Sequence, residues 1–165
     1  MSEIIIPEVN ESQIVELNDG VLMMNMRSYN GKSSRAISFS HDGGETWSNI
    51  DHDPQLVESI CQGSILHYGD FKKENMYLFS NPSVSFERTH MTIKSSFDEC
   101  KTWSNSKLIY SGPSAYSCLT KLPNGNVGIL FEGGEQNAYE KMVFLSFAPD
   151  KLFTQGTVLS SFNPV

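Results

Sequence analysis

Ser40-His41-Asp42-Gly43-Gly44-Glu45-Thr46-Trp47 and Ser96-Phe97-Asp98-Glu99-Cys100-Lys101-Thr102-Trp103 are two copies of one octapeptide, S-x-D-x-G-x-T-W, set 56 residues apart. The first fits the pattern at every position, and the second carries Cys100 where glycine is usual. Each reads as a tight hairpin turn. The aspartate carboxylate can accept hydrogen bonds from turn amides, glycine permits a positive φ, and tryptophan packs between neighbouring sheets. Cys100 in the glycine position predicts a strained and less regular second turn.

Outward from these turns, the chain is a series of short apolar or alternating runs separated by turn residues, which is an all-β pattern. Predicted strands cover residues 21–26, 36–39, 64–68, 76–80, 91–95, 107–110, 115–121, 127–131, 142–147 and 158–162. Asn18-Asp19-Gly20 and Pro123-Asn124-Gly125 read as the turns that open two of them. No stretch carries a sustained helical period, and only residues 149–153 suggest a short helical turn. A repeat of 56 residues suits one four-stranded propeller blade with a long connection. The octapeptide is the Asp box. It identifies a propeller rim and by itself says little about chemistry.

At 165 residues the chain is long enough for one domain with its own core, and nothing argues for two. With 39% hydrophobic residues and a formal charge of −7, it is a folding chain without the basic face that nucleic acid requires. Net charge would not draw in an anionic ligand either, so an anion site must be a local cluster of cations. Arg27, Arg35 and Arg88 are the whole set of arginines. Cys61, Cys100 and Cys118 are odd in number with no CxxC pair, which reads as three reduced thiols. The stretch Met1-Ser2-Glu3-Ile4-Ile5-Ile6-Pro7 has neither the basic region of a secretory signal nor the length of a membrane span. That points to the cytosol only if Met1 is the true start; otherwise a cytoplasmic, lysosomal or membrane-associated site stays open. His41, His52, His67 and His90 lack metal-ligand spacing, so no metal or other cofactor is expected.

Four further segments resemble the animal and bacterial sialidases over nearly the whole chain. Glu11-Ser12-Gln13-Ile14-Val15-Glu16-Leu17, then Asn25-Met26-Arg27-Ser28, is similar to the family's E-x-Q-x-x-E-L segment with its following N-x-R. Cys61-Gln62-Gly63-Ser64 resembles a family loop. Ser80-Asn81-Pro82, Arg88 and Met91-Thr92-Ile93-Lys94 are similar to F-S-N-P and R-x-x-(M/L)-T-(I/L). Gly112-Pro113-Ser114-Ala115-Tyr116-Ser117-Cys118-Leu119, then Gly128-Ile129-Leu130-Phe131-Glu132, resembles G-x-(S/A)-(A/G)-Y-S-x-L followed by L-Y-E. Phe131 and Cys118 are mild departures.

The resemblance implies a six-bladed β-propeller, of which this chain supplies about three to four blades as one C-terminal portion, residues 1–165. It implies an exo-α-sialidase, a glycoside hydrolase that removes terminal sialic acid with retention. Tyr116 takes the nucleophile position, Glu11 that of its catalytic base, Arg27 and Arg88 those of the second and third carboxylate-binding arginines, and Glu132 that of the carboxylate that orients the first carboxylate-binding arginine. Taken alone, Glu16 could be chosen as readily as Glu11, and Arg35 reads as structural. The chemistry is coherent. Sialic acid bears a carboxylate on its anomeric carbon, which would repel a carboxylate nucleophile but not a phenol. A phenol titrates near ~10 and needs a base, and guanidinium groups grip a carboxylate with two parallel bonds.

No segment resembles the family's first arginine motif, F/Y-R-(I/L)-P, or its acid/base aspartate, and Asp42 and Asp98 belong to the Asp boxes. Three readings stand: part of a full enzyme, which is favoured; one half of an assembly with another chain; or a protein that binds sialosides without cleaving them. A non-sialidase Asp-box propeller, of the sorting-receptor type, would explain the turns but not Glu11, Arg27, Arg88 and Tyr116. Expected partners are sialylated glycoproteins, gangliosides or oligosaccharides, with self-association through exposed propeller edges.

Overall fold

The computed structural model describes residues 8–155, so the predicted strand at 158–162 lies outside the described residues. Strands β1 (Val9–Glu16), β2 (Leu22–Ser28), β3 (Ser34–Ser40) and β4 (Asp51–Val57) form an antiparallel sheet in sequence order. Strands β5 (Ser64–Phe71), β6 (Glu74–Pro82), β7 (Thr89–Ser96), β8 (Asn105–Lys121), β9 (Val127–Gly133) and β10 (Lys141–Phe147) continue in the same meander.

β8 divides that second sheet. Up to Pro113 it pairs with β7, and from Ser114 onward it pairs with β9. The described residues therefore make two four-stranded blades and a three-stranded one, and the fold is part of a sialidase-type β-propeller. No described helix is long and apolar enough to cross a membrane.

The blades stack through their alternating faces. Val15, Met23 and Leu56 of the first sheet pack against Ile65, Tyr77, Phe79 and Trp103. Met76, Leu78, Ile93 and Ile109 pack on the far side against Ile129, Phe131, Val143 and Phe147. The middle blade is thus covered on both faces. This is why β6 is buried from Met76 to Pro82 without the polar alternation of a half-exposed strand. Ile14 on the first sheet, and Leu130, Met142 and Phe144 on the third, remain exposed.

Both Asp boxes close in the same way. Asp42 accepts Ser40 Oγ and Thr46 N at 2.8 Å each and Thr46 Oγ1 at 2.6 Å. Asp98 accepts Ser96 Oγ and Thr102 N at 2.8 Å each and Thr102 Oγ1 at 2.7 Å. The expected irregularity of the second box is corrected: its bonds match those of the first. The strain sits in the backbone instead, with Glu99 and Cys100 both at φ 61, where the first box has Gly43 and Gly44 at φ 72 and 95. Trp103 lies between the first two blades, against Phe79 and with its Nε1 donating to Asp53 at 2.9 Å.

Two strands go beyond the expected series. β1 is polar at most positions, and β4 carries Pro54 in an edge strand, where a missing N–H is tolerated. The runs at 107–110 and 115–121 are one strand bent by a bulge. Residues 149–153 form the short helical turn that was expected.

Candidate active site

Glu11 sits on a β-bulge. Asn10 pairs with Arg27 and Ser12 with Met26, which leaves Glu11 unpaired at φ 38. A bulge re-aims its side chain, and a non-glycine residue at positive φ is held there only by its surroundings. Here those surroundings are a cation and a phenol. Arg27 on β2 donates from Nη1 to Glu11 Oε2 at 2.5 Å, and the Tyr116 hydroxyl donates to Glu11 Oε1. Tyr116 sits on the second bulge of the site, between Ser114 and Ser117, where β8 changes partners. Arg27 Nη1 also donates to the Tyr116 hydroxyl at 3.2 Å, and its buried Nε has no partner among the described residues.

Arg88 precedes β7 and lies over the Tyr116 ring, its guanidinium carbon 5.8 Å from the centroid. Its Nη2 donates to the Ile60 carbonyl at 2.9 Å and its Nη1 to the Tyr139 hydroxyl at 2.7 Å. Glu132 on β9 accepts the Tyr116 backbone N–H at 3.1 Å, and among the described residues no arginine reaches it. Glu16 is exposed at the far end of β1. A shallow hollow of about 240 Å³ opens beside Tyr116, lined by Gln62, Ser117, Cys118, Leu130, Glu132 and Met142.

Arg35, read as structural, is fully buried. It donates to Glu58 at 2.7 Å, to the Cys61 carbonyl at 2.8 Å and to Asn25 at 2.7 Å. Glu58 in turn accepts the N–H of Ser28, next to Arg27, at 2.7 Å. Nothing in the sequence singled out Glu58, Tyr139 or the Ile60 carbonyl. A backbone acceptor has no residue signature, and a tyrosine in a loop resembles any other.

The site's electrostatics set where the proton rests. Burial pushes the Glu11 carboxyl up, but hydrogen bonds from Tyr116 and Arg27 and the charges of Arg27 and Arg88 outweigh it and hold it below the ordinary range. The Tyr116 hydroxyl is pushed up by its hydrogen bond to Glu11, then by burial and by the Glu11 charge, against a smaller pull from both arginines. At neutral pH the pair is therefore a phenol donating to a carboxylate. A carboxylate so placed can accept the proton of the Tyr116 phenol. Among the described residues no three His, Cys, Asp or Glu side chains converge as metal ligands.

The BNR repeat-like domain family matches residues 3–129. The chain belongs to that family. This BNR repeat-like chain is 36% identical over 129 residues to a sialidase of Bacteroides fragilis (strain YCH46), a match covering 74% of the chain and 24% of the relative. It is 32% identical over 131 residues to a sialidase of Micromonospora viridifaciens, covering 76% and 20%. Its fold superposes on the intramolecular trans-sialidase from Ruminococcus gnavus in complex with oseltamivir carboxylate. That match has a TM-score of 0.75 and 26% identity, over 88% of this chain and 34% of that one. The Hadza microbial sialidase Hz136 gives a TM-score of 0.75 and 34% identity, over 87% and 28%. The chain spans about a fifth to a quarter of the length of the curated relatives it matches. These relatives and structural neighbours are sialidases, which supports a sialidase lineage for the chain.

Proposed function

We propose that the chain carries the nucleophile side of an exo-α-sialidase site, within one domain that corresponds to the C-terminal portion of the propeller. One observation supports this above the others: the Tyr116 hydroxyl donates to a Glu11 carboxylate that Arg27 fixes in place. Tyr116 Oη attacks the anomeric carbon of a terminal sialic acid, its proton passes to Glu11 Oε1, and the glycosidic bond breaks. Arg27 and Arg88 hold the sugar carboxylate, and Glu132, which accepts the Tyr116 backbone N–H, takes the position that orients the first carboxylate-binding arginine. Water then displaces the phenolate from the opposite side, so two inversions give net retention.

The departing oxygen needs a proton. Asp42 and Asp98, with their carboxylates tied to their own turns, do not supply it. The chain on its own is therefore expected to bind sialosides, including those of glycoproteins, gangliosides and oligosaccharides, and to turn them over poorly. The exposed Leu130, Met142 and Phe144 support association of that outer face with further sheet, either of this chain or of a partner. The decisive experiment is release from a fluorogenic α-sialoside between acidic and neutral pH, with Tyr116→Phe as control. Binding without release supports the half-site. Release abolished in the control establishes a complete enzyme. Absence of both binding and release removes the sialidase reading for this chain.

A further inference from the structure

Arg88 differs from the other two arginines. Arg27 is paired with Glu11 and Arg35 with Glu58, but Arg88 makes no ion pair with a described residue. Both of its hydrogen bonds go to neutral oxygens, the Ile60 carbonyl and the Tyr139 hydroxyl. They orient the guanidinium without cancelling its charge, and leave three of its five N–H groups without a partner among the described residues.

Both oxygens are built into place. Ile60 is a β-branched residue at φ 53, a conformation that the surrounding structure must enforce. Tyr139 is 63% exposed, so packing does not hold its ring. Its loop holds it instead. Glu140 accepts the backbone N–H groups of Glu135, Gln136 and Asn137 at 3.0, 2.8 and 2.8 Å, and Asn137 Oδ1 accepts that of Tyr139 at 2.9 Å. The loop is then docked by Ala138, buried in a small cluster with Cys61 and Ala115. Each member of that cluster is the chain neighbour of a site residue: Cys61 follows Ile60, Ala115 precedes Tyr116, and Ala138 precedes Tyr139.

We propose that Tyr139 is a positioning residue that, with the Ile60 carbonyl, holds the Arg88 guanidinium beside Tyr116, without an ion-pair partner of its own, ready for a carboxylate. The proposal rests on the reading of Arg88 as a carboxylate-binding residue, and the experiment separates the two.

With only three arginines in the chain, the side-chain guanidinium signals of a ¹⁵N-labelled sample can be assigned by comparison with Arg88→Lys. Tyr139→Phe removes one hydroxyl from an exposed ring and should leave the fold intact. In that variant, and in Glu140→Ala, rotation of the Arg88 guanidinium is expected to accelerate while the Arg27 and Arg35 signals stay unchanged. An Arg88 signal unaltered by Tyr139→Phe overturns the proposal, whether or not a sugar binds. The second arm titrates N-acetylneuraminic acid and its uncharged methyl ester. Loss of one hydrogen bond is worth about fivefold in affinity, so Tyr139→Phe should weaken the acid by about that factor and leave the ester unchanged. Equal weakening of both, tighter binding of the acid, or no change in a chain that binds it, overturns the proposal. If the wild-type chain takes up neither sugar, the sialic-acid reading fails alone, and the guanidinium signals still decide the role of Tyr139.

Discussion

The Tyr116 hydroxyl donates to Glu11 although 105 residues separate them, and each of the two residues sits on a β-bulge of a different sheet. Regular strands would send alternate side chains to the two sheet faces, into the packing between blades. The bulges break that alternation at one residue in each strand. Arg27, across the ladder from Asn10, then closes the triangle.

That relationship fixes how Tyr116 titrates. Its hydroxyl lies above the ordinary value of 10 because its proton is shared with the Glu11 carboxylate. In Glu11→Gln the carboxylate is gone while Arg27 and Arg88 still favour phenolate, so the Tyr116 pKa is expected to fall. Phenolate absorbance against pH, with Tyr116→Phe subtracted to isolate one of the six tyrosines, measures it. An unchanged titration would mean that the bond is not made in solution.

Glu58→Gln is expected to destabilise the chain by about 3 kcal/mol, since removing one partner of a buried pair strands the other charge. Arg35 is fully buried and would lose its only anionic partner among the described residues. Urea unfolding midpoints of the two chains provide the check. A loss under about 1 kcal/mol would show that water reaches the pair.

The first Asp box should lose strength in acid. Hydrogen bonds from the Thr46 side chain and backbone and from Ser40 hold the Asp42 carboxyl at about 2, below its ordinary 3.8. A depressed pKa gives stabilisation that is complete above the unfolded value and disappears as pH falls through the folded one. The gap in melting temperature between wild type and Asp42→Asn is therefore expected to be full at about pH 5 and to close between 3.8 and about 2. A gap that persists below that window would assign the effect to packing.

Cys100 balances two effects of similar size. Its left-handed backbone costs about 1–2 kcal/mol for a non-glycine residue, and its buried side chain returns about as much through contact with the core between the first two blades. Cys100→Gly is expected to change stability by less than about 1 kcal/mol. Cys100→Val, bulkier and β-branched at φ 61, should lose more than about 2 kcal/mol. Thermal unfolding of both variants tests the balance, and a large loss in Cys100→Gly would show that side-chain packing dominates. Burial also pushes the Cys100 thiol up to about 12, so alkylation at neutral pH should reach exposed Cys118 first.

Much of the fold is legible in the sequence because its determinants are local. An Asp box is closed by bonds among residues two to four apart, so the octapeptide carries its own geometry. Strand runs such as 76–80 and 127–131 announce themselves by apolar content and flanking turns. β1 and β4 escape that reading because a polar edge strand owes its pairing to its neighbour rather than to its own residues. The resemblance carried by Glu11, Arg27, Arg88, Tyr116 and Glu132 is likewise a property of short segments. What joins them is not. That Glu11 rather than Glu16 meets Tyr116, that Arg35 is buried in the scaffold while Arg88 keeps its charge, and that Tyr139 and the Ile60 carbonyl orient Arg88 were decided by the tertiary structure. The physical reason is that these contacts span 23 to 105 residues of chain and depend on bulge position and blade packing. No local pattern specifies either.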